Sequence, residues 1–120
     1  MAFYEGKYNN VLFFLFLKKG EMVLMLESKF KTKLIENIET RFPGSMIFHL
    51  DPTEKRGVPD LLVLYQNKWA ALEGKQKSKS SKRPLQPYYV DLMNRMSFAR
   101  FIDPENEEEV LNAMEQSFRA

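Results

Sequence analysis

The chain contains no cysteine. Disulfide frameworks, thiolate zinc sites and cysteine nucleophiles are therefore excluded, and the composition fits a reducing compartment such as the cytoplasm. Histidine is nearly as scarce. His49 stands alone, and one imidazole on a short strand makes neither a zinc site nor a catalytic triad, so it reads as structural. Long apolar runs are missing as well. The longest, Val11 to Leu17, is stopped by Lys18, Lys19 and Gly20, far short of the ~20 residues that span a bilayer, so no membrane partner is expected. As a signal-peptide core it lacks a basic flank, since only Glu5 and Lys7 are charged before it, and no small-residue cleavage site follows. It reads instead as an extra strand, a hydrophobic arm packed on a partner, or an upstream extension of the translated frame. In the last case Met22 or Met25 is the start, because regular patterning begins only after them.

What is present suffices for one domain. The 120 residues are 44% hydrophobic, enough for a real core. The net charge of +2 says little, but its distribution says more. Lys75, Lys77, Lys79, Lys82 and Arg83 crowd into nine residues, while Glu105, Glu107, Glu108 and Glu109 gather near the C-terminus. A basic cluster with a separate acidic one suggests a polyanion partner on one side only.

From Glu27 to Phe42 the pattern is helical: Phe30, Leu34, Ile38 and Phe42 recur every four residues, with Ile35 beside them. Lys29, Lys31, Lys33, Glu36 and Asn37 fill the other faces, and Pro43-Gly44 ends the helix. Ser45 to Leu50 reads as a strand and Asp51 to Val58 as a loop. Asp60 to Tyr65 shows little alternation, which predicts a strand covered on both faces. Gln66-Asn67 is a two-residue turn into a strand over Lys68 to Lys75. Gln76 to Pro84 is a polar, basic loop. A helix then opens at Pro87, Phe98 to Ile102 is a short strand, and Asp103-Pro104 opens a last helix with Val110, Leu111, Met114 and Phe118 on one stripe. The order α-β-β-β-α-β-α predicts an α/β (mixed α+β) domain, with a central mixed sheet of about four strands flanked by helices.

Strand parity then assembles a site. Glu73 and Lys75 are two apart and project to one face, at the end of a strand whose earlier residues are apolar. The Gln66-Asn67 turn makes the two strands antiparallel, and counting back from it sets Asp60 at the Glu73 end. Two carboxylates and an ammonium at one strand end suit phosphodiester hydrolysis. A hard cation such as magnesium takes one or two carboxylates plus water and phosphate oxygens, and a neighbouring ammonium orients the attacking water and offsets growing charge. Asp60 and Glu73 are the expected ligands, the Gly74 carbonyl a further one, and Lys75 the positioning cation. Alone, a Glu-x-Lys pair or a Pro-Asp turn is commonplace, and the Lys/Ser loop alone is a solvated loop. Their specificity lies in the combination, which makes that loop a phosphate-contacting flap. Glu27 shares the buried stripe of the first helix and reads two ways, as a site carboxylate or as a first-turn partner of the helix dipole. Trp69, Tyr88 and Tyr89 read as packing residues.

Pro59-Asp60, twelve intervening residues, then Glu73-Gly74-Lys75 resembles the signature of the PD-(D/E)xK nuclease superfamily. The stretches Glu27 to Ile35, Gly57 to Tyr65, Trp69 to Lys75 and Arg83 to Asp91 are similar to small phage endonucleases allied to the virus-type replication-repair nucleases (VRR-NUC) and to phage Holliday-junction endonucleases. The likeness runs from about Met25 to Phe118. It implies a restriction-endonuclease-like core over residues 25–120, with residues 1–24 as an N-terminal extension. It also implies Mg2+-dependent DNA cleavage, with Mn2+ as a substitute, by a phage- or prophage-encoded enzyme in the bacterial cytoplasm. Asp60 and Glu73 fall on the metal and Lys75 near the nucleophilic water. Glu27 matches the helix glutamate of such sites, and Gln86 matches a glutamine at the start of the second helix. Asp51 lies where some relatives place a further acidic residue. Lys77, Lys79, Lys82 and Arg83, with Lys55 and Arg56, are the expected DNA contacts. A homodimer is expected, since a chain this small covers few base pairs, and branched or replicating DNA is a candidate substrate. The competing readings are a non-catalytic nucleic-acid-binding module on the same fold and a structural or interaction protein.

Overall fold

The computed structural model describes residues 19–51, 53–75 and 84–120, and among them all side chains but those of 19–25 and 27. Helix α1 (Lys19–Arg41) is followed by strands β1 (Met46–His49), β2 (Leu61–Tyr65) and β3 (Lys68–Gly74), helix α2 (Gln86–Met96), strand β4 (Ala99–Ile102) and helix α3 (Glu107–Arg119). The strands form one mixed sheet in the order β1-β2-β3-β4, antiparallel except for the parallel β3/β4 pair. This is the expected element order and mixed architecture.

The alternation of each strand divides its side chains between two helical layers. Leu61, Val63, Ala70, Leu72 and Ile102 face α1 and α3, and there they join Leu34, Ile38, Phe42, Val110, Leu111, Met114 and Phe118 in the main core. Ala71 and Ala99 face the other way, against Val90 and Met93 of α2, with Trp69 and Phe101 partly buried beside them. The i, i+4 stripe of α1 thus meets one face of the sheet, while α2 crosses the opposite face between the parallel strands it connects. Phe42, Tyr65 and Phe118 close the far end of the main core, with ring centroids 5.3–5.4 Å apart. Part of the acidic C-terminal cluster ties α3 to α1: Arg41 pairs with Glu108 and Glu115, and Asn37 donates to Glu107.

The strands keep their expected bounds to within a residue, while the three helices each start elsewhere than the sequence reading has them. Helix α1 begins at Lys19 rather than Glu27; Lys, Glu, Met and Leu are strong helix formers, and the helix carries Gly20 within it. Helix α2 begins at Gln86, one residue ahead of Pro87. Helix α3 begins at Glu107 rather than at Asp103-Pro104. Asp103 closes a turn of its own: Oδ1 accepts from the Glu105 and Asn106 amides, while Asn106 Oδ1 accepts from the Asp103 amide. That reciprocal bonding gives the backbone an alternative to helix until Glu107, where three glutamates complement the helix dipole. On the main-core face of strand β2 Leu61 and Val63 are buried, but Leu62 and Leu64 on the other face are only half-buried.

Candidate active site

The β2–β3 hairpin sets the geometry. Tyr65 pairs with Lys68 across the Gln66-Asn67 turn and Leu61 with Leu72 at the other end. One step further along the same register, Asp60 falls beside Glu73. The parallel ladder extends past β3, since the Lys75 amide donates to the Ile102 carbonyl at 2.8 Å. The backbone carrying Glu73, Gly74 and Lys75 is therefore held on both sides, by β2 and by β4.

Strand parity sends these residues to opposite layers. Glu73 and Lys75 lie on the α2 side, where the first residue of α2 meets them. Gln86 Nε2 donates to Glu73 Oε2 at 3.2 Å, and Lys75 Nζ donates to Gln86 Oε1 at 2.9 Å, with Glu73 Oε2 at 3.7 Å. All three side chains are buried. A buried ammonium and a buried carboxylate are tolerated because each compensates the other and the amide satisfies both. Gly74 lies on the α1 side, and its amide donates to Asp60 Oδ1 at 3.3 Å. Asp60 Oδ2 is shielded from solvent and forms an ion pair with the Lys31 ammonium of α1.

Four of the sequence-expected residues, Asp60, Glu73, Lys75 and Gln86, thus converge at one end of the sheet, with Gly74 between them. Glu27 lies on α1 one turn before Lys31, and its side chain is outside the described residues. Lys77, Lys79, Lys82 and Arg83 are also outside them. Lys55 and Arg56 are exposed in the loop before β2, and the Lys55 ammonium stands 5.8 Å from the Tyr89 ring centroid. The Asp51 carboxylate serves its own turn: it accepts from the Thr53 hydroxyl and amide, which hold it below the usual carboxylate range, the hydroxyl more than the amide.

Three readings are corrected. Tyr88 is 56% exposed and is not a packing residue, whereas Tyr89 and Trp69 are half-buried. His49 is exposed at the end of the edge strand β1, so its side chain does not build the core. Lys31 does not lie on an outer face of its helix but reaches over the sheet to Asp60. The spacing Glu27, Lys31, Leu34, Ile38 follows the buried stripe and was the available signal.

The donor set fits a hard divalent cation. Among the described residues no three His, Cys, Asp or Glu side chains come together; the two carboxylates that meet at the sheet end, Asp60 and Glu73, could hold an ion that keeps several waters, as magnesium characteristically does.

No family model and no curated protein matches the chain. Among solved structures it is similar to one described as a VRR_NUC domain, with a TM-score of 0.60 and 17% sequence identity over 72% of this chain and 95% of that one. The fold is that of the VRR_NUC domain. Within it, the mixed sheet and its flanking helices place the Asp60, Glu73, Lys75 and Gln86 cluster where β2 begins, β3 ends and α2 begins. Among the described residues no helix is long and apolar enough to cross a membrane.

Proposed function

We propose that the protein is a divalent-metal-dependent DNA endonuclease that hydrolyses phosphodiester bonds. The observation that carries this reading is the buried Glu73–Gln86–Lys75 triangle beside Asp60, on a nuclease fold. Asp60 and Glu73 would hold Mg2+ or Mn2+, with the Gly74 carbonyl as a further oxygen, and Glu27 would stand near them on α1. The bound cation supplies polarisation of the phosphoryl group and a lowered pKa for water. Lys75 positions the attacking water and offsets charge growing on the phosphoryl oxygens. Gln86 holds the Lys75 ammonium and the Glu73 carboxylate in fixed relation, so that neither must reorganise during reaction.

Lys55, Arg56 and the basic segment with Lys77, Lys79, Lys82 and Arg83 would contact DNA phosphates and set its register without reading sequence. A homodimer would place two such sites on two strands. Branched or replicating DNA is the proposed substrate, in the cytoplasm of a bacterial host that carries the gene on a phage or prophage.

Plasmid nicking with Mg2+, with chelator, and with Lys75→Ala tests the reaction; a labelled four-way junction beside a matched linear duplex tests the substrate. Metal-dependent product that disappears in Lys75→Ala is expected. Salt-sensitive binding with no product from any substrate would replace this reading by that of a non-catalytic DNA-binding module.

A further inference from the structure

Each carboxylate at the sheet end is paired with an ammonium. Glu73 has Lys75, on the α2 side. Asp60 has Lys31, which arrives from α1 on the other side. The Lys31 stem runs over Gly74: a Cβ there would meet Lys31 Cε at 3.1 Å and Cγ at 3.2 Å, so the missing side chain leaves the lysine its course. The ammonium ends on Asp60 Oδ2, the oxygen that is shielded from solvent. Oδ1 of the same carboxylate is engaged by the Gly74 amide.

We propose that Lys31 is a built-in counter-ion that competes with divalent metal for Asp60 and so sets the affinity of the site for metal. This rests on the nuclease reading only in taking Asp60 as a metal ligand. Asp60 and Glu73 fall side by side by strand register, and two carboxylates so placed repel unless a cation stands between or beside them. Lys31 supplies such a cation at Asp60. An ammonium and a divalent ion compete for Oδ2, since like charges at van der Waals distance repel strongly. Loading therefore requires the ammonium to withdraw, and a four-carbon stem about one-quarter exposed has room to do so (26%).

The test uses the full chain and Mn2+ as the probe. Binding is measured by calorimetry for the wild type, Lys31→Met, Lys31→Arg and Asp60→Asn, and melting temperatures are taken in chelator and in Mn2+. Competition gives a sign that a merely structural lysine does not. Lys31→Met should lower the metal-free melting temperature yet bind Mn2+ more tightly, by about two- to fivefold, the scale of a partly exposed ion pair. Its melting temperature should rise more on adding Mn2+ than that of the wild type. Lys31→Arg should stay near the wild type and Asp60→Asn should lose binding. A structural Lys31 would give weaker Mn2+ binding when removed. If Lys31→Met binds no tighter while Asp60→Asn loses the metal, the competition is overturned and the metal site stands. If Lys31→Arg tightens binding as much as Lys31→Met, charge is not the cause and the proposal falls. If the wild type takes up no Mn2+, both this proposal and the nuclease reading fall. Lys31→Gln, which keeps a donor for Asp60 but no charge, gives the same readout should Lys31→Met fail to fold.

Discussion

Lys75 Nζ stands 2.9 Å from Gln86 Oε1. Glu73 is more distant, at 3.7 Å, so the neutral amide holds the ammonium in place while Gln86 Nε2 anchors the carboxylate. Gln86 is thus a positioning residue, acting through Lys75 and Glu73. Gln86→Ala should slow single-turnover cleavage by roughly 10- to 100-fold, the scale of removing one preorganised interaction. Metal affinity should stay within about threefold, because both carboxylates are still present. A buried pair stripped of its bridge should also cost about 1–3 kcal/mol in urea denaturation. A drop in metal affinity as large as the drop in rate would place Gln86 among the ligands instead.

Lys75 itself is buried, its ammonium held against Gln86 and Glu73. It should therefore matter to cleavage and not to DNA affinity. Lys75→Met is expected to reduce cleavage by at least ~10²-fold, the magnitude of removing a charge stabiliser. Its affinity for the same DNA should stay within a few-fold, with an unchanged salt slope. Lys55→Ala and Arg56→Ala, which remove exposed cations, should do the reverse: weaker binding, a salt slope lower by about one for each phosphate no longer neutralised, and full single-turnover rate at saturation. Gel-shift titrations at several salt concentrations beside single-turnover kinetics separate the two.

The contrast between Lys75 and Lys31 shows what the sequence made legible. Period-two alternation and a two-residue turn are local, and they brought Asp60 to the Glu73 end without any tertiary information. Gln86 was found through likeness alone, because the meeting of a helix's first residue with a strand that ends twelve residues earlier is non-local. Lys31 escaped because a lysine within a helical stripe ordinarily snorkels outward. Its inward course depends on the glycine at position 74, on another element. The late start of α3 had the same origin: Asp103-Pro104 is a good helix opening by composition, but Asp103 and Asn106 satisfy each other first.

Gly57 and Gly44 share nearly the same left-handed backbone, with φ of +88° and +87°. Their surroundings differ. A Cβ at Gly44 meets nothing within 4 Å, whereas one at Gly57 would fall 2.5 Å from Leu85 Cβ and 2.9 Å from its carbonyl carbon. Gly44→Ala should therefore cost only the backbone term, about 1–2 kcal/mol. Gly57→Ala should cost that plus overpacking, about 2–4 kcal/mol in all. Because Leu85 immediately precedes Gln86, the second variant should also slow cleavage while the first leaves it intact. Denaturation midpoints and single-turnover rates for the pair check both statements, and equal stability losses would show that the loop yields freely around Leu85.

Gln66 adopts φ of +58° in the turn between β2 and β3. A side chain with a Cβ is strained there, and glutamine lacks the short local hydrogen bonding that makes asparagine tolerant of that region. The residue is exposed at the hairpin end opposite Asp60, so replacing it removes strain without touching the site. Gln66→Gly and Gln66→Asn are each expected to stabilise the fold by roughly 0.5–1 kcal/mol, glycine giving back part of its gain through the freer unfolded chain. Cleavage rate and metal affinity should be unchanged, since the register that sets Asp60 beside Glu73 is kept by the pairing of the strands. Urea denaturation of the two variants measures the gain. A loss of stability in both would mean that the Gln66 side chain makes an interaction worth more than the backbone strain it carries.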